Sequence, residues 1–273
     1  MPEVFLYSFM HRAFIVGNLI AIIAPTIGVF LILKRLALIG NTLSHVALAG
    51  IALGLLLGIY PIYLAILVSV FAALGIEKLR SKFTDYAELS LSIILAAGLG
   101  VATILISLSR NSAGIMSYLF GSISLVTNND LYTVLPLAIF IIAVIYVYFY
   151  GFFYLSFNEK DARVAGVPVK FLNTLFMIII SITIALSMRI VGGLLIASLI
   201  SIPVAVSLHI AKSFKQTIFY SILTGIISVN TGLILSFYYD LAPGGTIILT
   251  NVLCFLLVVS VKQLFKKGVV YDE

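Results

Sequence analysis

The sequence predicts an all-α polytopic membrane protein with about nine transmembrane helices. Of its 273 residues, 62% are hydrophobic and only 10% are charged, whereas a soluble domain carries about a quarter charged residues. The mean hydropathy is +1.24. A chain with so few charges cannot cover its apolar side chains with a polar surface, so its solvent must be lipid.

Apolar runs of membrane-spanning length follow one another along the whole chain. A helix that crosses a bilayer needs about 17–25 mostly apolar residues. The runs that qualify are residues 13–33, 42–59, 61–77, 88–109, 131–155, 173–189, 191–211, 216–238 and 246–265. The boundaries at Tyr60-Pro61 and Gly192-Gly193 each fit either a hairpin or one broken helix, so we expect about eight to ten spans. No soluble-domain pattern interrupts them, and residues 1–273 are expected to form a single transmembrane domain.

Basic residues are divided unequally between the two sides of this layout. Alternating spans place all of the 16 Lys and Arg residues except Arg12, Arg110 and Arg189 on the side of residues 156–173. Loops rich in Lys and Arg remain on the cytoplasmic side of a membrane. We therefore expect the N-terminus outside and the C-terminus inside. The net charge of +6 then reflects membrane orientation, and no basic cluster indicates a nucleic-acid partner.

A polar pair lies at the start of the second apolar run, in "LALIGNTLSHVALAGIALG". Asn41 and His45 are four residues apart and share one helix face, with Ser44 beside them. Imidazole and amide oxygen are both metal donors, and polar residues inside a membrane segment favour a functional site. The alternative is structural: Asn41 would cap the helix and His45 would hydrogen-bond a neighbouring helix. The spacing alone does not separate the two interpretations.

Two further segments have unusual composition. The run "VGGLLIASLISIPVAV" contains Gly192, Gly193, Ser198 and Pro203, which favours either a pathway-lining helix or tight helix packing. The polar segment 156–173 contains the small residues Ala162, Ala165 and Gly166 among charged ones, which predicts a short amphipathic helix followed by a turn. Residues 109–130 are expected to lie outside, either on the membrane surface or dipping into it.

No motif indicates catalysis by this chain. The phosphate-binding pattern G-x-x-x-x-G-K-[ST] is absent, as are H-E-x-x-H and G-x-S-x-G. The single cysteine, Cys254, excludes an internal disulfide and a Cys-rich metal site. We therefore expect no catalytic residues and no ATPase site in this chain.

Four stretches resemble one known family in the same order along the chain. They are "FMHRAFIVGNLIAIIAPTIGVFLILKRLALIGNTLSHVALAGIALG", "FNEKDARVAGV", "VGGLLIASLISIPVAV" and "YYDLAPGGTIIL". They are similar to the metal-ion ABC transporter permeases, which import zinc, manganese or iron, and the similarity covers nearly the whole chain.

This resemblance implies an ABC importer permease architecture in the cytoplasmic (inner) membrane of a prokaryote. Two copies of the permease would form the pathway, a separate cytoplasmic ATPase would bind ATP, and an extracytoplasmic metal-binding protein would deliver the ion. The chain itself would bind no cofactor, because the metal is its cargo. Residues 156–173, with Ala162, Ala165 and Gly166, would be the coupling loop that docks on the ATPase.

The resemblance also bears on Asn41 and His45. In the family the position of Asn41 is typically aspartate, and the pair contacts the ion in transit. His45 matches the family pattern directly. Asn41 keeps one oxygen donor but lacks the negative charge, so it departs from the pattern.

Two other functions remain open from the residues. A permease for a metal chelate, such as a siderophore or a corrinoid, needs a wide cavity lined for organic groups, and it lacks the short His-containing block. A proton-coupled carrier or a membrane enzyme needs a titratable carboxylate in the middle of the membrane, whereas Asp130 and Asp240 lie at span ends.

Overall fold

The computed structural model describes residues 6–82, 87–109 and 112–268. All of the regular structure in these ranges is helical. The helices are α1 (Ser8–Leu33), α2 (Leu38–Leu57), α3 (Pro61–Lys82), α4 (Ala87–Leu108), α5 (Ser112–Phe120), α6 (Asn128–Val147), α7 (Phe149–Phe157), α8 (Glu159–Val164), α9 (Val169–Ser187), α10 (Ile196–Ile210), α11 (Phe214–Tyr239) and α12 (Pro243–Gly268). The predicted all-α class is confirmed. Arg110, one of the three basic residues expected outside, falls outside the described ranges.

Eight of the helices in the described ranges are long and apolar enough to cross a membrane. Helix α10 has 15 residues and is only about 22 Å long at ~1.5 Å per residue, less than the ~30 Å hydrocarbon core of a bilayer. The predicted run 131–155 is two helices, because the chain leaves helical geometry at Tyr148 (φ −99°, ψ 18°). The predicted run 191–211 becomes helical only at Ile196. Residues 6–82, 87–109 and 112–268 therefore contain eight helices of spanning length and one shorter apolar helix, α10.

Hydrogen bonds between distant segments define the two ends of the bundle. At one end Arg12 donates to Asn128 at 3.1 Å, and Tyr60 donates to Asp130. At the other end Lys34 donates to Asn173 at the start of α9, and Lys262 donates to the carbonyl of His209 at the end of α10. Phe30 near the end of α1 also packs on Phe214 at the start of α11, with 5.4 Å between the ring centroids, so the start of α9 and the end of α10 lie at the same end of the bundle. The segment around Gly192-Gly193 is therefore the turn of a hairpin.

The boundary at Tyr60-Pro61 is also a hairpin. Helix α2 ends at Gly58 in the left-handed conformation, with φ 68°. Helix α3 then runs back along α2 so closely that a Cβ at Gly50 would lie 2.6 Å from the Cα of Ala65. Both ambiguous boundaries in the sequence are therefore turns between antiparallel helices.

Three helices occupy the centre of the bundle. Helices α1, α2 and α9 each have 72% of their apolar window buried, against 22% for α4 and α12. The outer helices expose large apolar side chains such as Ile104, Ile139 and Leu257, as expected for surfaces that face lipid. The polar pair predicted on α2 consequently lies on a central helix.

Candidate functional site

Asn41 lies inside α2 and does not cap it. The helix begins at Leu38, and its N-cap position is occupied by Ala37, with no side-chain hydrogen bond. A capping side chain must precede the first turn in order to accept from the free backbone N–H groups there. Asn41 is in the second turn, so the capping interpretation of this residue is wrong.

The face of α2 that carries Asn41 and His45 is open. Between Ile39 and Ala52, these are the two residues that are not buried. They are one helical turn apart on the same face of the helix. They therefore form one narrow accessible patch, which we call the opening, in a stretch that is otherwise buried.

Within the described residues, neither side chain of this pair makes a hydrogen bond, so His45 does not bond to a neighbouring helix as the structural alternative required. Ser44 differs from both. Its side chain is 2% exposed, and its hydroxyl donates to the backbone carbonyl of Asn41 at 2.8 Å. Ser44 therefore belongs to the packed side of α2, and it does not share the open face.

The pair supplies two metal donors, the imidazole of His45 and the amide oxygen of Asn41. Within residues 6–82, 87–109 and 112–268 there is no group of three or more His, Cys, Asp and Glu side chains placed to hold a metal ion. For an ion at this pair, the described residues of one copy would supply an incomplete coordination shell. A full shell needs donors from water or from another chain.

Helix α10 passes beside this opening. A Cβ added at Gly40 would lie 3.8 Å from the Cα of Ala197. Ser198, Ser201 and Ala205 are half-buried and share one face of α10, whereas Pro203 is buried on another face. Of the residues expected to form a pathway helix, Ser198 is thus on the open side and Pro203 packs into the bundle.

Gly192 and Gly193 precede α10 and form the turn that joins it to α9. Gly192 has φ +86°, and a Cβ there would lie 2.3 Å from the carbonyl oxygen of Leu119. The N–H of Gly193 donates to the carbonyl of Tyr118 at 2.8 Å. The backbone of this turn thus lies directly against the backbone at the end of α5. At position 192 only glycine permits this, because any side chain would clash there. The role of the two glycines is to hold the hairpin turn against α5.

Helix α5 is the regular part of the predicted outer segment 109–130. Ile115 and Tyr118 on this helix are 2% and 4% exposed. Gly121, just beyond it, has φ +80° and approaches Ile190 so closely that a Cβ would lie 2.0 Å from its carbonyl oxygen. The segment therefore packs into the bundle, as one of the two predicted arrangements required.

A buried ion pair connects the same region to α6. Asp130 is 0% exposed and Arg189 is 8% exposed, with 3.2 Å between Nε of the arginine and Oδ2 of the aspartate. Arg189 also donates to the carbonyl of Leu125, and its guanidinium lies 4.8 Å from the ring centroid of Tyr118. Asp130 is therefore neutralised by a fixed partner, which argues against its use as the free carboxylate of a proton-coupled carrier.

Two more groups bind the Asp130 carboxylate. Thr127 and Asp130 form a reciprocal capping box at the start of α6, and Tyr60 donates to Asp130 from the α2–α3 turn. Burial, together with this hydrogen bond, raises the pKa of Tyr60. The pattern T-x-x-D in "TNND" could have indicated the cap from sequence. No local pattern indicates that Arg189 is the partner.

The polar segment 156–173 contains the predicted short helix, α8. Asn158 caps it by accepting from the N–H of Lys160 at 2.9 Å. Ala162 is 0% exposed and faces the bundle, whereas Val164 is 89% exposed and Ala165 and Gly166 are also exposed. Of the three small residues assigned to docking, Ala162 cannot reach a partner, because it is packed under the helix.

The sequence matches the ABC 3 transport family over residues 6–262. It is 30% identical over 250 residues to the manganese import system permease protein ScaB of Streptococcus gordonii, which covers 92% of this chain and 90% of that protein. It is 29% identical over 263 residues to the high-affinity zinc uptake system membrane protein ZnuB of Haemophilus influenzae, covering 96% of this chain and 99% of that protein.

The fold is also that of a solved relative. The structure of PsaBC from Streptococcus pneumoniae in complex with Fab has a TM-score of 0.85 to this chain at 28% identity, covering 94% of this chain and 92% of the matched chain. The similarity in sequence and in structure extends over nearly all of the helices described above. The chain therefore belongs to the ABC 3 transport family.

Proposed function

We propose that this chain is the transmembrane permease subunit of an ATP-driven importer of a divalent transition metal ion, and that Asn41 and His45 contact the ion in transit. The observation that supports the site most directly is the opening on α2. There, two metal donors without a polar partner are the half-buried residues of an otherwise buried stretch. Relatives named for manganese import and for zinc uptake support the substrate class.

A second copy of the chain completes the proposed site. Transition metals that bind imidazole and oxygen take four or more ligands in protein sites, and one chain offers two. If the open face of α2 meets its equivalent across a two-fold axis, two His45 and two Asn41 side chains converge. In this arrangement the half-buried face of α10, which carries Ser198 and Ser201, lines the pathway.

Energy comes from another subunit in this proposal. The chain has no phosphate-binding loop, so a cytoplasmic ATPase supplies the hydrolysis and drives alternating access. The exposed end of α8, from Val164 to Gly166, is the proposed docking surface for that ATPase. An extracytoplasmic metal-binding protein would deliver the ion at the opposite end of the bundle.

The test is metal uptake by cells that carry the complete transporter and lack other importers. We expect His45→Ala to abolish uptake of zinc, manganese or iron per folded molecule, since it removes the main donor. His209→Ala is the matched control. His209 lies on α10, where its Nδ1 is 2.8 Å from the Ala205 carbonyl and its ring packs on Phe255, so uptake should remain near wild type.

Two outcomes would contradict the proposal at different levels. Failure of the wild-type complex to import any of the three ions would remove the metal-importer function. Normal uptake by His45→Ala, in a wild-type complex that does import, would remove the site and leave the function standing.

A further inference from the structure

The carboxylate of Glu159, the first residue of α8, contacts three transmembrane helices. Its Oε1 lies 3.1 Å from Nδ2 of Asn173 on α9 and 3.5 Å from Nζ of Lys34 at the end of α1. It also lies 3.8 Å from Nη2 of Arg80 in the last turn of α3. A single oxygen atom thus joins the cytoplasmic segment to α1, α3 and α9.

These contacts are more enclosed than ordinary surface ion pairs. The Lys34 side chain is 5% exposed, and its ammonium also donates to Oδ1 of Asn173 at 2.5 Å and lies 5.4 Å from the centre of the Phe176 ring. Burial lowers the pKa of Lys34, and the neighbouring Glu159 carboxylate opposes that shift. A buried ammonium that loses its carboxylate is destabilised, so separation of Lys34 from Glu159 is unfavourable.

The other charged residues of α8 have a different environment. Lys160, Asp161 and Arg163 are exposed. Asp161 accepts from the side chain of Asn158 at 2.8 Å, a contact within the same segment. Among the charged residues of α8, Glu159 is therefore the one whose described ion pairs extend to the transmembrane helices.

Lys34 is also close to the proposed metal site along the chain. It is the C-cap of α1, and α2 begins at Leu38 after a tight turn in which the N–H of Leu36 donates to the carbonyl of Leu31 at 2.9 Å. Asn41 lies in the second turn of α2. A displacement of Lys34 is therefore delivered to the first turns of the helix that carries Asn41 and His45.

We propose that Glu159 is a positioning residue that transmits movement of α8 to the start of α2 through its ion pair with Lys34. The inference rests on the proposed function, in which the ATPase docks on α8. Binding of ATP by the docked subunit shifts α8, and the Glu159–Lys34 contact carries that shift to the end of α1 and the beginning of α2. Arg80 and Asn173 carry the same shift to α3 and α9.

The experiment uses the complete transporter in proteoliposomes, with ATP hydrolysis and metal uptake measured in the same vesicles. We expect Glu159→Gln to keep the ATPase bound and hydrolysing, and to lower the number of ions imported per ATP about tenfold, within the usual range of coupling between distant sites. Glu88→Gln is the control. It removes the same charge from an exposed position in the first turn of α4, and it should leave the ratio unchanged.

The double variant Lys34→Met/Glu159→Gln separates transmission from simple destabilisation, and it protects against misfolding because it leaves no unpaired buried charge. If Glu159 acts through Lys34, the double variant is as poorly coupled as Glu159→Gln and no worse. Restoration of the wild-type ratio in the double variant would overturn the inference, because the loss would then come from the orphaned ammonium.

Three further results would also count against transmission by Glu159. These are an unchanged ratio in Glu159→Gln, an equal loss in Glu88→Gln, and dissociation of the ATPase from Glu159→Gln during purification. Each is distinct from failure of the wild-type complex to import metal, which would instead contradict the proposed function.

Discussion

At the scale of the residue, asparagine side chains inside the bundle differ in whether they have a hydrogen-bond partner. Asn18 and Asn230 exchange two hydrogen bonds between α1 and α11, at 3.1 and 2.8 Å. Asn41 makes none with the described part of the chain. A polar group in a hydrocarbon environment costs free energy unless it is bonded. The first pair therefore fastens two helices, whereas Asn41 needs water, an ion or another chain at its face.

Substitutions at Asn41 test that interpretation. We expect Asn41→Asp to be tolerated or to strengthen metal binding, because it places a negative charge opposite a divalent ion, and to slow release for the same reason. Asn41→Leu removes the oxygen donor and should reduce uptake sharply. The measurement is uptake normalised to folded protein, with metal affinity determined on the purified complex. Equal uptake by wild type and Asn41→Leu would show that this amide does not contact the ion.

At the scale of the element, α8 has two faces with separate tasks. Ala162 and Glu159 turn toward the bundle, and Val164, Ala165 and Gly166 turn away from it. Gly166 has φ +79° with open space around its α-carbon, so its backbone conformation is a sufficient reason for glycine there. Ala165, the C-cap of α8, has a negative φ of −74° that any residue can adopt, and is the better position for testing docking.

We expect Ala165→Glu to prevent docking of the ATPase without disturbing the fold of α8. The larger charged side chain would stand on the proposed contact surface, where the backbone accepts any residue. Lys215→Glu, at an exposed position near the start of α11, is the control. Co-purification of the ATPase with each variant is the measurement. Undiminished recovery with Ala165→Glu would place the docking surface elsewhere.

The ion pair between Asp130 and Arg189 joins α6 to the α9–α10 turn. Removing one partner of a buried pair costs about 3–5 kcal/mol, because it leaves an uncompensated charge. Asp130→Asn should therefore lower the thermal stability of the chain in detergent markedly. The double variant Asp130→Asn/Arg189→Gln should be less destabilised than Asp130→Asn alone. If the two variants melt at the same temperature, the pair does not hold this end of the bundle together.

At the scale of the whole molecule, the two ends of the bundle correspond to the two sides of the membrane. Segments 34–36, 156–173 and 209–216 lie at one end, and segments 120–130 and 240–243 lie at the other. The segments fall into the same two groups as in the layout predicted from the basic residues, and the assignment of one end to the cytoplasm stays a prediction. Arg189 lies at the end that was predicted to be outside, and there it forms an ion pair with Asp130.

Cysteine labelling checks the orientation. In a Cys254→Ser background, a cysteine at Lys160 should react only with reagent applied from the cytoplasm, and a cysteine at Leu241 only with reagent applied from outside. Helices α9, α10 and α11 separate the two positions, so an odd number of crossings lies between them. Labelling of both positions from one side would mean that α10 does not cross.

The sequence by itself determined the membrane class, the approximate positions of the apolar helices, the short helix within 156–173 and the family. These properties depend on residues that are close along the chain, since hydropathy, helix caps and motifs are sums over local windows. Whether Asn41 caps α2 or lies inside it depends on the residue at which α2 begins. A helix start is uncertain by a few residues without a strong cap signal, and Ala37 gives none.

Only the tertiary structure decided which faces of these helices meet. Arg189 pairs with Asp130 across 59 positions of the chain, and Asn173 meets Lys34 across 139 positions. The burial of Ala162 and the open face of His45 likewise follow from neighbours that are distant in sequence. In an apolar chain nearly every helix face is hydrophobic, so periodicity cannot mark the side that packs against protein and the side that faces lipid. Contacts between helices make that distinction, and they pair polar groups such as Asp130 with Arg189 and Asn18 with Asn230.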